Sequence, residues 1–198
     1  MILEASETKA SVSSLNDQQL MADAQAGSLR AFDEIARRFQ VPLMRYLMRK
    51  VGQTSDAEDI FQETMLAAYR HLKRYNSRWS CSTWLFAIAR NQAASYTRRN
   101  KRVFQPSDQA DDAVSRPVDA VKRLDQAEQS ASLWTVARQQ LSADQFDVLW
   151  MTFALQWPID KVAQSMGNNG LAVRVALHRA KKNLKSAALK AGMRVEDE

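Results

Sequence analysis

The chain has 198 residues and a mass of 22.5 kDa, room for one medium domain or two small ones. Its 45% hydrophobic content excludes a wholly unstructured chain, and five glycines and four prolines are too few for the frequent turns of a sandwich or barrel. A net charge of +6 and a pI of about 9.6 fit a nucleic-acid or anionic-membrane partner, while the single cysteine, Cys81, excludes an intrachain disulfide and suits a reducing, cytoplasmic setting.

The amino terminus, MILEASETKASVSSLND, lacks a basic stretch followed by an apolar run, and no segment approaches the roughly 18 apolar residues of a membrane span. Neither export nor membrane insertion is expected. Residues 1–15 are small, polar and expected to be loose. A short helix is predicted from Asn16 or Asp17 to Ala26, stopped by Gly27. Ser28 caps a long helix with Leu29, Phe32, Ile35, Ala36 and Phe39 at helical spacing. Pro42 has no amide proton and should kink or interrupt it, before Leu43, Met44, Leu47 and Val51 resume the pattern up to Gly52. Thr54 or Ser55 caps the next helix. Ala57, Phe61, Thr64, Met65, Ala68 and Leu72 share its core face, at about 100° per residue, and Asp56, Asp59, Glu63 and Arg70 share the opposite one.

A loop at 76–82 leads into a helix with Trp84, Leu85, Ile88 and Ala89 inward. From Tyr75 to Arg102 basic and aromatic residues mix in a manner suited to unpaired bases. Aromatic faces stack at about 1–3 kcal/mol per base, while Arg98, Arg99, Lys101 and Arg102 follow the phosphates. Asn76, Ser77, Arg78, Ser80 and Ser82 offer hydrogen bonds to a base edge, and Asn91 and Ser95, one helical turn apart, add to them. Tyr75 and Trp79 are the stacking candidates; Trp84, within TWLFAIA, and Tyr69 are assigned to packing.

QPSDQADDAVSRPVDA, with two prolines and four aspartates, reads as a flexible acidic linker over 103–122. A helix near 123–141 follows, then one capped by Ser142 and carrying Phe146, Leu149, Trp150 and Phe153. Next come the short helix IDKVAQSM, the turn GNNG and a helix from about Leu171 to Lys190, buried along Val173, Leu177, Ala180 and Leu184. Residues 191–198 are a tail. A short helix, a glycine turn and a longer basic helix form a helix-turn-helix, whose second helix enters the major groove. Val162, Ala163 and Met166 can pack on Val173 and Leu177, leaving Arg174, His178 and Arg179 outward. Arginine bonds guanine edges bidentately, Lys181, Lys182 and Lys185 neutralise phosphates, and Asn168 and Asn169 stand at the turn. No acidic residue lies between Val162 and Val195.

The expected fold class is all-α, two small helical domains at 16–102 and 123–190 joined by the linker, the second a helix-turn-helix. One cysteine, two distant histidines (His71 and His178) and no glycine-rich phosphate loop supply no catalytic or metal site, so no enzyme, metal or cofactor is expected. Two binding functions stay open on the residues alone. One is a mediator that docks on a protein through the acidic stripe while holding nucleic acid. The other is a stand-alone helix-turn-helix regulator, which leaves the stripe and the 76–82 loop without a task.

Four segments in order, AGSLRAFDEIARRF, DAEDIFQETMLAAYRHLKRY, STWLFAIARNQAASYTRR and IDKVAQSMGNNGLAVRVALHRAKKNL, resemble the bacterial extracytoplasmic-function (ECF) sigma factors, group IV of the sigma-70 family. The resemblance spans residues 17–187. It implies that Asp56, Asp59, Gln62 and Glu63 dock on the clamp helices in the largest subunit of core RNA polymerase. It implies that the 76–82 loop, with Asn91 and Ser95 beneath it, captures an unpaired base of the promoter −10 element. It also implies that Arg174, Val175, His178 and Arg179 read the −35 element, with Val175 suited to a thymine methyl. The linker aspartates would enter the polymerase channel, and an anti-sigma factor is the further partner implied. The chain departs from the family pattern at Met166, where leucine is usual before the turn glycine, at Ala176, where a basic residue is frequent, and at Ala87 and Ala94, small where larger polar side chains are common.

Overall fold

The structure is a computed structural model that describes residue 12 and residues 14–100 and 131–193. Every regular element among the described residues is helical. The first half holds α1 (Asp17–Gln25), α2 (Leu29–Val51), α3 (Thr54–His71), a short 3-10 turn (Leu72–Arg74) and α4 (Cys81–Asn100). The second half holds α5 (131–140), α6 (Ala143–Leu149), a π-helical turn (Trp150–Ala154), α7 (Ile159–Met166) and α8 (Gly170–Lys190).

Local signals set most of the helix starts. Asn16 and Gln19 form a reciprocal capping box at α1, and Ser142 and Gln145 form another at α6. The Ser28 hydroxyl accepts from the Ala31 amide to start α2. The cap expected from Thr54 or Ser55 is displaced: Gln53 holds the cap position of α3 without a side-chain cap bond, and Thr54 is already helical. Pro42 does not interrupt α2, which runs unbroken for 23 residues. The proline forfeits one hydrogen bond, to the Arg38 carbonyl, and buried Phe39 and Leu43 on either side hold the helix against its neighbours.

Buried Leu20, Ile35, Leu43, Leu47, Ile60, Leu85 and Ala89 bring α1 to α4 together, with α3 lying against both α2 and α4. The face predicted for α3 is the buried one, with Ile60 joining it. Tyr69, assigned to packing, remains 47% exposed and offers only a ring edge to Phe32 at 5.2 Å. Phe153 is exposed: the π-helical turn carries it outward, where the Lys181 ammonium lies 4.9 Å from its ring centre.

The predicted linker, the start of the 123–141 helix and the extreme termini lie outside the described residues. The halves on either side of the linker share one buried cluster. Helix α7 packs along α4, Phe86 meets Trp157 edge-on at 5.2 Å, and the Ser165 hydroxyl donates to the Thr83 carbonyl at 3.4 Å. Gly52, which ends α2 at a φ of 88°, marks a close approach. A Cβ there would lie 2.6 Å from the Arg138 guanidinium carbon, so an α5 arginine rests on the negative end of the α2 dipole. No described helix is long and apolar enough to cross a membrane.

Candidate nucleic-acid interface

The acidic stripe and the basic helix are not separate surfaces. Asp59, Gln62 and Glu63 of α3 are exposed, and with Gln92, Tyr96 and Arg99 of α4 they line a single cleft of about 260 Å³. Asp56 is partly covered; burial, and then the nearby Asp56 carboxylate, push the Tyr96 phenol above its ordinary value. Gln92, Tyr96 and Arg99, three α4 residues at helical spacing, were not singled out in the sequence as a cleft wall. Their signal was the i, i+4, i+7 interval itself.

The loop into α4 is held at both ends. At its entry the Gln25 amide donates to the Leu72 and Tyr75 carbonyls, each at 3.0 Å, across 47 and 50 residues of sequence. Tyr75 is only 7% exposed, its ring set edge-on to Trp84 at 5.2 Å and its hydroxyl donating to the Trp79 carbonyl at 2.5 Å. Tyr75 therefore presents no free face to a base, and its assignment as a stacking residue is corrected to a brace for the loop. Burial raises its phenol above the ordinary value. Asn76 through Trp79 turn tightly, with the Trp79 amide on the Asn76 carbonyl at 2.9 Å and the Arg78 amide on the Asn76 side-chain oxygen at 3.0 Å. Asn76, Ser77 and Arg78 are exposed, and Trp79 is half-buried.

At the exit, Ser80 caps α4: its hydroxyl accepts from the Thr83 amide and bonds the Ser82 and Thr83 hydroxyls. The exposed hydrogen-bonding groups of the loop thus reduce to Asn76, Ser77 and Arg78. Cys81 opens α4 rather than lying in the loop, 1% exposed, and burial pushes its thiol up to about 12. Further along α4, Asn91 is exposed, and Ser95 accepts from Arg98 at 3.1 Å. Arg98 and Arg99 are open to solvent; Lys101 and Arg102 lie outside the described residues.

In the second half, Gly167 ends α7 in the left-handed region at a φ of 64°, which makes the sharp turn into α8. Asn169 caps α8, its side-chain oxygen taking the Ala172 amide at 2.8 Å, so that oxygen is committed to the helix. Asn168 is exposed at the turn. Arg174, Val175, His178, Arg179, Lys181 and Lys182 are all exposed along α8, opposite buried Val173 and Ala180. Leu171, 70% exposed, sits one turn before Val175 and extends that face with an apolar edge that sequence reading passed over.

Residues 35–103 match the Sigma-70 region 2 family. The chain is 30% identical over 168 residues to the ECF RNA polymerase sigma factor SigL of Mycobacterium tuberculosis, covering 83% of this chain and 90% of SigL. It is 29% identical over 187 residues to SigG of the same organism, again over 83% of this chain but only half of SigG's length. Among solved structures, CnrH in complex with the cytosolic domain of CnrY superposes with a TM-score of 0.66 at 23% identity, covering 88% of this chain and 97% of CnrH. The sigma factor RpoE of Bartonella quintana, in complex with the anti-sigma factor NepR, superposes with a TM-score of 0.59 at 20% identity, over 76% of this chain and 94% of RpoE.

Proposed function

Because the chain belongs to the ECF sigma-factor family, we propose that it binds core RNA polymerase and directs it to a subset of promoters by reading their −10 and −35 elements. The observation that carries this reading is the shared α3–α4 cleft, where Asp59, Gln62 and Glu63 face the same space as Arg99. A docking stripe and a strand-binding helix that share one cleft put polymerase contact and DNA capture side by side. A stand-alone regulator has no use for that arrangement.

In this reading residues 16–102 dock on the clamp helices and hold the −10 element, and residues 123–190 read the −35 element. Exposed Asn76, Ser77 and Arg78 meet the flipped base, with half-buried Trp79 as the remaining stacking face, and Asn91, Ser95, Arg98 and Arg99 lead the strand along α4. The protein performs no bond chemistry; melting draws on binding energy that holds a base outside the stack. On α8, Arg174 and Arg179 suit guanine edges, Val175 a thymine methyl, and Lys181 and Lys182 the phosphates. Asn169 contributes by fixing the start of that helix. The site of action is the cytoplasm, with an anti-sigma factor as the regulating partner.

The test is transcription in vitro from a promoter library with purified core polymerase. Initiation at defined start sites that depends on this chain supports the reading. Tight binding to duplex operators without polymerase, together with no initiation, overturns it in favour of the stand-alone regulator.

A further inference from the structure

An apolar strip lies in the middle of the basic face of α8. Leu171, in the first turn, is 70% exposed, and Val175, one turn on, is 42% exposed. At about 100° per residue the two stand roughly 40° apart around the helix axis. On the same count Leu171 is about 160° from Val173 and about 180° from Ala180, the residues that α8 buries. The pair therefore marks the centre line of the outward face. Arg174 flanks that line on one side and Arg179 on the other, and His178 and Lys182 continue it toward the carboxyl end, all four exposed.

A single exposed leucine is ordinary on a protein surface. Leu171 differs in its setting. Carboxylates suit the first turn of a helix, where they meet the positive end of its dipole, yet the first turn of α8 holds none. Asn169 already caps the helix, and neither Leu171 nor Val175 packs against the buried cluster. Packing and capping leave the pair without a task, and alanine at either position would favour the helix more.

The surroundings name the partner. No acidic residue lies between Val162 and Val195, so the strip is bordered by cations alone and faces a polyanion. In the major groove of duplex DNA the apolar group among the base-pair edges is the thymine C5-methyl, with phosphates along both rims. The second helix of a helix-turn-helix meets base edges with its amino-terminal residues, and Leu171 and Val175 occupy that end of α8. Four helical residues rise about 6 Å, close to two base steps of about 3.4 Å each. A protein partner fits less well, because interface centres are broad and depleted of charge, whereas this strip is narrow and enclosed by arginines and lysines.

We infer that Leu171 is a specificity-determining residue that, with Val175, reads the C5-methyl groups of two thymines about two base pairs apart in the −35 element. This inference rests on the sigma-factor reading and sharpens it: Val175 alone suits one methyl, whereas the pair requires two at a set spacing.

The test uses the full chain, with core polymerase and in parallel without it. Promoter duplexes with a randomised −35 region are selected by binding. Each thymine of the selected element is then replaced by deoxyuridine, which lacks the C5-methyl and keeps the O4 acceptor. For the parent chain, deoxyuridine weakens binding by about fourfold at each of two positions two pairs apart, the value of one methyl withdrawn from water. Leu171→Ala abolishes the response at one of these positions and keeps it at the other, and Val175→Ala does the reverse. Leu171→Met, which keeps an aliphatic contact, retains both responses. The substitutions are at exposed helical positions, and unchanged circular dichroism verifies that the fold is kept.

No response to deoxyuridine in the parent chain overturns the inference. So does a response confined to one position, a response that Leu171→Ala leaves intact at both, or a failure to select any duplex in either arm. Initiation from the selected promoters tests the sigma-factor reading separately. Methyl-dependent binding without initiation supports the role of Leu171 and overturns the sigma-factor reading. Initiation without methyl dependence supports that reading and overturns the role of Leu171.

Discussion

Replacing Tyr75 with phenylalanine isolates one hydrogen bond that shapes the base-capture loop. The ring would stay edge-on to Trp84, 5.2 Å between centres, and only the O–H donated to the Trp79 carbonyl at 2.5 Å is lost. An average neutral hydrogen bond contributes about 0.5–1.5 kcal/mol, and a buried carbonyl left without a donor costs about 1–3 kcal/mol. Trp79 is half-buried, so water can reach part of that carbonyl, and a loss of about 1–2 kcal/mol follows. The loss is local, because Gln25 still ties the loop entry and Ser80 still caps α4. If an ordered loop is the form that captures a base, the ratio of ordered to disordered loop falls by about fivefold to thirtyfold.

The assay is promoter opening, followed by the fluorescence of 2-aminopurine placed in the −10 element, at saturating polymerase. Tyr75→Phe should slow or weaken opening by more than twofold and at most by that factor, while polymerase affinity and overall helix content hold. Opening unchanged within twofold would show that the Tyr75 hydroxyl does not position the loop. A fall in opening matched by loss of polymerase binding would show that the substitution acts through the whole domain.

Removing both carboxylates of the stripe, Asp59→Ala with Glu63→Ala, should weaken core-polymerase binding by about 1–2 kcal/mol, and the deficit should shrink as salt rises. Unchanged affinity in a binding titration refutes the docking face. Arg174→Ala should cost about 1–3 kcal/mol of discrimination at one position of the −35 element, whereas Lys182→Ala should weaken all duplexes alike and reduce the salt slope by about 1. Equal losses on specific and scrambled duplexes would remove Arg174 from base reading. Hydrogen bonds from Arg37 and then Arg38 hold the Glu34 carboxyl down to about 2 from an ordinary 4.5. Its folded value lies below its unfolded one, so its stabilisation is complete above pH 4.5 and lost as pH falls from there through 2. A carboxyl carbon titration with a midpoint near 4.5 would contradict the pairing.

Helices whose burial repeats at helical spacing were legible in the sequence. The interior face of α3 and the Val173, Leu177, Ala180 and Leu184 line of α8 followed from spacing alone, and the bounds of α7 followed from its glycine stop. Caps were legible where a side chain makes the bond, as with Ser28 and Ser142, and illegible at α3, where residue type favours Thr54 but the helix begins there instead. Pro42 does not end α2, because a single lost hydrogen bond costs less than the packing that Phe39 and Leu43 contribute. The deepest gap concerns partners far apart in the chain. Gln25 with Tyr75, Tyr96 with Asp56, and Tyr46 with Asp147 follow no periodicity, so Tyr75 looked like a solvent-facing aromatic until the fold supplied Trp84 beside it.

The sequence distances at the joint between the halves also bear on how the molecule assembles. Tyr46 and Asp147 are 101 residues apart, Thr83 and Ser165 are 82 apart, and Arg90 and Met166 are 76 apart. Contacts inside each half are mostly between helices that follow one another, which form quickly, whereas the joint must close a long chain loop first. Each half should therefore acquire its helices before docking, with the amino-terminal half complete while the other is still being synthesised. In reverse, amides of α6 to α8 should exchange through a partial opening that leaves α2 protected, so the seam between the halves is also the first line along which the native structure yields.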